Sequence, residues 1–477
     1  MSIINLIENN VEKYPTKIAV VDDQKSMSYQ ELYHEIQNFS IPFSSKNEVV
    51  SLVSENSIPF LISYLGSINL GKIVHLISPE ISQENLQNQI KKSDSGAIIC
   101  GKTIKNDLKN NDLIKIPIFD FNENISNKEN PPQKSKKNEL AYLIYTSGTT
   151  SEPKGVAISH SMIEFTTKNI VEILGYTDSD IDLLPLPLHH SFGLGCVHSS
   201  LYVGSTLVLL KNVSNLQHLL ESLKKYNATT FAAIPATLTK LLVFDRDILE
   251  NYFSKIRLII TNSTSIPKKT VQNFKTILKN GNLATYYGLT EASRSTFMIF
   301  DNNDKRYESV GKAAPGVEIK IVNHDQNHSN IGEILIKGKN VIHKYWKNNQ
   351  ADEKIVDGWL HTGDVGYLDE QKYLFLKGRC DDIINIGGEK VTPLEIEDIV
   401  KKLSGIEDVA AFGINHEIFG QTIKLNIVKM RDSNLDKSQV LSYCIQNLEK
   451  YKIPSKIEFV EKIPKTDYGK VKRFMLK

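Results

Sequence analysis

The segment Tyr145-Thr146-Ser147-Gly148-Thr149-Thr150-Ser151-Glu152-Pro153-Lys154-Gly155 concentrates hydroxyls, backbone amides and one lysine in a short loop, directly after the apolar run Leu140–Ile144. A buried strand feeding a Gly/Ser/Thr loop is one way to hold phosphate oxygens. Small side chains let backbone N–H groups approach an anion, hydroxyls donate further hydrogen bonds, and a lysine supplies charge. The loop is not a Walker sequence, because no Gly-Lys-Ser/Thr follows a glycine at the required distance. Gly338-Lys339 lies one residue too far from Gly332 and is followed by Asn340. Taken alone, a stretch of this composition could equally be a solvated turn.

Other segments carry groups that would complete phosphate chemistry. Tyr286-Tyr287-Gly288-Leu289-Thr290-Glu291 ends a predicted strand. Its glycine permits a close turn, and its carboxylate is the hard oxygen ligand that magnesium prefers. Trp359-Leu360-His361-Thr362-Gly363-Asp364 sets an aspartate after a glycine, which alone is usually a turn. Gly378-Arg379-Cys380-Asp381-Asp382-Ile383-Ile384 is followed by Gly387-Gly388-Glu389-Lys390-Val391-Thr392-Pro393, where the paired glycines form either a plain hairpin turn or a side-chain-free surface. Pro464-Lys465-Thr466-Asp467-Tyr468-Gly469-Lys470-Val471-Lys472-Arg473 is a basic stretch of the kind that is normally a solvated tail. Pro187-Leu188-His189-His190-Ser191-Phe192-Gly193 sets two histidines side by side, but no Cys/His partner lies at ligand spacing, which argues against zinc.

In this order the segments resemble the motifs of the adenylate-forming superfamily, which includes acyl-CoA synthetases, carrier-loading adenylation domains and luciferases. The resemblance spans nearly the whole chain and implies ATP-dependent activation of a carboxylate with Mg²⁺. It assigns the triphosphate cradle to Thr146, Ser147, Gly148, Thr149, Thr150 and Lys154, and the adenine site to Tyr287 beside Gly288. Thr290 would hydrogen-bond the α-phosphate, and Glu291 would hold the metal. Asp364 and Arg379 would contact the ribose, and His190 would border the carboxylate pocket. Lys470 would bridge the carboxylate and the α-phosphate during adenylation; the catalytic set is then Lys470, Thr290, Glu291 and His190. Asp381 takes the family's hinge position, and Gly387-Gly388 would border the channel of the pantetheine thiol.

The chain departs from the family pattern in three places. Ser151 stands where glycine is expected, which costs on the order of 1 kcal/mol if that position needs positive φ. His189 replaces an aromatic residue, and Asn262-Ser263-Thr264 adds bulk where relatives have Gly-Gly or Gly-Ala. Carrier-loading domains for amino acids often show Phe-Asp after the family histidine, the aspartate pairing with the α-ammonium. This chain reads Ser191-Phe192-Gly193-Leu194-Gly195, an uncharged segment suited to an acid without an amino group.

Positioning these loops requires a large scaffold. With 477 residues, two or more domains are expected. Short apolar runs at Ile18–Val21, Val49–Val53, Ile73–Leu76 and Ala97–Cys100, separated by helical patterns, have the rhythm of a parallel α/β sheet. Ser28 with Glu31 three residues on predicts a capping box for a helix through Ile36. Residues 122–138, with Pro131-Pro132 and clustered lysines, read as an exposed connection. A second α/β rhythm runs through Leu183–Leu186, Ser205–Leu210, Thr229–Ile234, Leu258–Thr261 and Leu283–Tyr287. From about residue 310 alternating strands with glycine turns predict a small β-barrel or sheet, and beyond Arg379 the pattern is short α+β.

Hydrophobic content of 40% and charged content of 23% are those of an ordinary soluble protein, and a net charge of +2 gives no reason to expect nucleic acid as a partner. The four cysteines are scattered without a CxxC pair, which fits a reducing cytoplasm, and no window approaches the roughly 20 apolar residues of a membrane span. The resemblance therefore implies an α/β protein: an N-terminal region, 1–378, of two α/β subdomains plus a β-barrel, a hinge at 379–381, and a smaller mobile α+β domain, 382–477. The implied activity is conversion of a carboxylic acid, fatty or otherwise apolar, to an acyl-adenylate and then to a CoA thioester. Loading of a phosphopantetheine carrier protein is an alternative of the same superfamily. A non-catalytic adenylate-binding paralogue is a third, which loss of ATP–pyrophosphate exchange over a broad acid panel would favour.

Overall fold

The structure, a computed structural model, describes residues 3–41, 47–109, 114, 116–121, 139–146, 153–213, 215–262, 266–300, 306–323, 330–348, 352–386, 389–417, 419–465, 469 and 471–476. The expected connection at 122–138 lies outside these residues, as do Ser147, Gly148, Thr149, Thr150, Ser151, Ser263, Thr264, Gly387, Gly388 and Lys470.

The first sheet contains, in spatial order, Ile118–Asp120, Ser95–Cys100, Val49–Val53, Ile73–Ile77, Leu140–Thr146 and Lys154–Ser159. All neighbours are parallel except the last pair, an antiparallel hairpin in which Thr146 faces Lys154. Every residue of Val49–Val53 and Ile73–Ile77 is buried. Strands covered on both faces by crossover helices are apolar throughout and do not alternate, which explains their sequence pattern. The hairpin therefore presents the end of the Ser/Thr/Gly loop, Lys154, from a rigid edge.

Among the described residues the second sheet has 14 strands. Its parallel half contains Thr206–Leu209, Ile181–Leu184, Thr230–Ala232, Leu258–Thr261 and Asn282–Leu289, all within a residue or a few of the sequence expectation. The early strand Ile18–Val21 joins this sheet, pairing in parallel with Thr206–Leu209, so the N-terminus spans to the second subdomain. The helix that follows, Tyr29–Asn38, starts at the predicted capping box: the Ser28 hydroxyl accepts from the Glu31 N–H, and the Glu31 carboxylate accepts from the Ser28 N–H at 2.7 Å. At Asn282–Leu289 the sheet turns antiparallel and runs on through Ala292–Phe300, Ser309–Ala313, Leu374–Arg379, Trp359–Leu368, Gly332–Gly338 and Val317–Val322. These are the glycine-punctuated strands expected as a barrel or sheet. Among the described residues their pairings extend the large sheet without closing on themselves.

From Ile384 onward, among the described residues, five strands form a separate sheet, with the helices Pro393–Val400 and Lys437–Asn447 packed on it. This part has its own hydrophobic core, centred on Ile396, Val409, Leu425, Ile427 and Val440. No helix among the described residues is long and apolar enough to cross a membrane.

Candidate active site

Two hairpins and one short segment build the site. The first hairpin ends at Thr146 and resumes at Lys154. The second joins Asn282–Leu289 to Ala292–Phe300 through a tip of two residues, Thr290 and Glu291. Gly288 is required there: a Cβ would lie 2.5 Å from the Arg294 nitrogen and 2.7 Å from the Ala292 oxygen. The segment Val341–Trp346 ties the hairpins together. Ile342 N–H donates to the Glu291 carbonyl at 2.9 Å, and Trp346 N–H donates to the Gly155 carbonyl at 2.8 Å. Bridges Ala292–Val341 and Val156–Tyr345 add to the junction.

This junction brings Lys154 and Glu291 to one ring, that of Tyr345. Lys154 Nζ lies 5.9 Å from the Tyr345 ring centroid, and the Tyr345 hydroxyl donates to Glu291 Oε1 at 3.0 Å. Burial and then the adjacent Glu291 charge push the Tyr345 hydroxyl well above its ordinary range, so it remains a protonated donor. Glu291 offers one oriented carboxylate. Magnesium commonly takes one or two carboxylates and completes its shell with phosphate and water oxygens, so this donor set fits the ion. Among the described residues no group of three or more His, Cys, Asp and Glu could form a cage by itself.

A second cluster joins Tyr287 on the strand Asn282–Leu289 to two residues of the strands Trp359–Leu368 and Leu374–Arg379. The Tyr287 hydroxyl donates to Asp364 Oδ2 at 2.7 Å, while Arg379 Nη1 donates to Asp364 Oδ1 at 2.8 Å. Burial and then Asp364 raise the Tyr287 hydroxyl well above its usual value. Burial alone would lower the Arg379 guanidinium, but Asp364 holds it above its ordinary value. Asp364 is fixed from behind: its N–H donates to the Thr362 hydroxyl at 3.0 Å, and Gly363 N–H donates to Glu333 at 3.1 Å. Gly363 adopts φ +70°, and a Cβ there would come within 3.0 Å of Arg379 Nη2. Residues as far as 77 positions apart in sequence thus become a single polar cluster, with Tyr287 and Asp364 in direct contact.

His190 caps the N-terminus of the helix Ser191–Val203, with its ring 4.4 Å from that of His189. Packing around His189, and then the nearby His190, pushes the His189 pKa down to about 3, so that ring is neutral at pH 7. Asp381 is an exposed residue beside Arg379, with Arg379 Nη2 4.0 Å from its carboxylate. Of the sequence-assigned residues, Thr146, Lys154, Tyr287, Gly288, Thr290, Glu291, Asp364 and Arg379 lie on these hairpins and strands. His190 and Asp381 lie on adjoining helix ends.

Two residues escaped the sequence analysis. Tyr345 belongs to no motif and earns notice only through a contact 54 positions away. Arg294 is a lone cation in the otherwise uncharged strand Ala292–Phe300, and that isolation was a usable signal. It is only 5% exposed.

The AMP-binding enzyme profile matches residues 7–346, and the AMP-binding enzyme C-terminal domain matches residues 395–470. The chain belongs to the AMP-binding enzyme family and carries both of its domains. It is 26% identical to a long-chain-fatty-acid–CoA ligase of Haemophilus influenzae, covering 100% of this chain and 94% of the relative. It is 27% identical to an oxalate–CoA ligase of Arabidopsis thaliana, covering 98% and 96%. The structure resembles o-succinylbenzoate CoA synthetase of Bacillus subtilis in complex with its acyl-adenylate intermediate, with a TM-score of 0.89, 24% identity, and coverage of 99% and 98%.

Proposed function

We propose that this enzyme joins a carboxylic acid to CoA in two half-reactions. In the first, a carboxylate oxygen attacks the α-phosphorus of ATP, forming the acyl-adenylate and releasing pyrophosphate. In the second, the CoA thiol attacks the acyl carbon, its proton is lost, and AMP leaves. Membership of the AMP-binding enzyme family and relatives that are CoA ligases support an AMP-forming acid–thiol ligase as the general activity. The observation that carries the reading is the convergence of Lys154, Tyr345 and Glu291, beside the Tyr287–Asp364–Arg379 cluster.

In this arrangement Lys154 and Thr146 meet the triphosphate, and Thr290 faces the α-phosphate from the hairpin tip. Asp364, held by Arg379 at 2.8 Å, accepts from the ribose hydroxyls. Glu291 holds Mg²⁺, which when bound neutralises charge on the phosphate oxygens. Tyr345 orients Glu291. Tyr345→Phe deletes that hydrogen bond and keeps the ring, and is expected to raise the Mg²⁺ concentration for half-maximal pyrophosphate release by about 10-fold. A Mg²⁺ titration at saturating ATP checks this, and an unchanged midpoint sinks the assignment.

The acid lacks an α-amino group. The first turn of Ser191–Val203 offers no carboxylate, and Arg294 donates to the carbonyls of Ser191 at 3.2 Å and Phe192 at 3.0 Å. A substrate ammonium at that turn would meet a like charge while losing its own hydration, a cost of several kcal/mol. Ile170, Leu174, Phe192, Ile260 and Phe297 line a small apolar cavity beside this turn. The test is pyrophosphate release over fatty, aryl, short and amino acids, with and without CoA, including one acid paired with its 2-amino analogue. The amino analogue is expected to fall by about 100-fold or more in kcat/KM. Equal use of both refutes the pocket reading, and no CoA-dependent product from any acid refutes the ligase.

A further inference from the structure

We infer that Arg294 is a specificity residue of the acid pocket and that the acid carries a second carboxylate, held by its guanidinium. The inference rests on the ligase reading and refines its substrate from an apolar acid to one with an apolar body and a charged far end.

Arg294 is 5% exposed, and no described residue brings it a negative charge. Its hydrogen-bond acceptors are the Ser191 and Phe192 carbonyls and, at 2.8 Å, the Ser293 hydroxyl, all neutral. No carboxylate among the described residues lies within ion-pair distance of it. A guanidinium has five N–H donors. Three hydrogen bonds are made, so two donors have no acceptor among the described residues. Buried cations are normally paired, because burying one unpaired is costly. The Tyr286 ring, 4.8 Å from the guanidinium carbon, gives some compensation, but a ring face is a weak substitute for an anion.

The local backbone is built to place this cation. Arg294 itself adopts φ +56°, a left-handed conformation that few non-glycine residues take up. Gly195, one turn into the facing helix, leaves the space the guanidinium fills, since a Cβ there would lie 2.1 Å from Arg294 Nη2.

Its location indicates what it meets. Arg294 spans the first turn of Ser191–Val203, whose cap is His190, and it lines the same cavity as Phe192, Cys196 and Ile260. The positive end of that helix reinforces the guanidinium, so an anion entering there is attracted by both. Burial, and next the Arg294 charge, hold His198 down at a pKa of about 3, so this neighbour stays neutral and does not share the cationic role. The reacting carboxylate must reach the α-phosphate beyond Thr290. A second anionic group at Arg294 therefore belongs to the other end of the same molecule. A short dicarboxylic acid satisfies both ends, whereas a plain fatty acid leaves the guanidinium unpaired.

The test compares matched pairs on the full chain: succinate with butanoate, glutarate with pentanoate, and adipate with hexanoate. Pyrophosphate release with MgATP and CoA gives kcat/KM, and calorimetry gives binding of each acid alone. At least one diacid is expected to exceed its monoacid by about 10–100-fold in both readouts, the range of a charge-assisted hydrogen bond. Arg294→Met should invert that ratio, and Arg294→Lys should restore part of it. Monoacids equal or superior in every wild-type pair overturn the inference without any variant, even if Arg294→Met does not fold. A diacid preference that survives Arg294→Met also overturns it. If no acid yields product but diacids still bind more tightly through Arg294, the ligase reading fails and this one stands.

Discussion

Replacing Lys470 with alanine is expected to slow acyl-adenylate formation by about 10²–10³-fold, while thioester formation from supplied acyl-adenylate stays largely intact. Removing one oriented charge contact to a developing oxyanion has this scale. Lys470 lies outside the described residues, but the base of its loop is well defined. Lys472 N–H donates to the Pro464 carbonyl at 2.9 Å, Lys465 and Val471 form an antiparallel bridge, and Gly469 turns the chain at φ +83°. Arg473 then anchors the loop, with Nη2 2.5 Å from Glu397 and Nη1 3.3 Å from Asp382. The residues flanking the lysine are thus held by the C-terminal part, and we propose that Lys470 meets the α-phosphate only when that part is placed for adenylation. Stopped-flow or quenched assays of the two half-reactions separate the outcomes. Equal loss in both would show that Lys470 supports the domain and not one chemical step.

The chain reveals its local structure more readily than its long-range pairings. Ser28 and Glu31 mark a helix start because the capping box is complete within four residues. Leu258–Thr261 is legible as a strand because all four residues are buried, apolar or β-branched, between turn signals. The pairing of Ile18–Val21 with Thr206–Leu209 could not be read, since nothing in either strand names a partner nearly two hundred positions away. The site divides in the same way. Glu291, Asp364 and Lys154 sit in loops whose glycines, hydroxyls and charges are unusual enough to stand out. Tyr345 works through a contact between segments, and its own stretch has no unusual composition. Arg294 was visible as a lone charge in an otherwise uncharged strand, but its surroundings include Gly195, 99 positions earlier, which only packing brings to it.

A proline at Asp381 is expected to preserve pyrophosphate release and to suppress thioester formation by about 10²-fold, the scale of misplacing reacting groups by an ångström. We propose residues 379–381 as the hinge between 1–378 and 382–477, because their neighbours are held to different bodies. Arg379 is fixed to Asp364 on the large sheet at 2.8 Å, whereas Asp382 is fixed to Arg473 of the C-terminal part at 3.3 Å. Between these anchors Cys380–Asp382 forms only a single turn of 3₁₀-helix, and the Asp381 side chain is 60% exposed. Any rotation of one body against the other is concentrated in these few dihedrals. Proline fixes φ near −65° and narrows the choices of the residue before it, so it removes the swing without touching a substrate contact. The two half-reactions respond differently because each needs its own domain placement, and adenylation precedes the swing. Thioester formation at the wild-type rate in Asp381→Pro would place the pivot elsewhere. Loss of both half-reactions would mean that the proline had displaced the domain and not locked it.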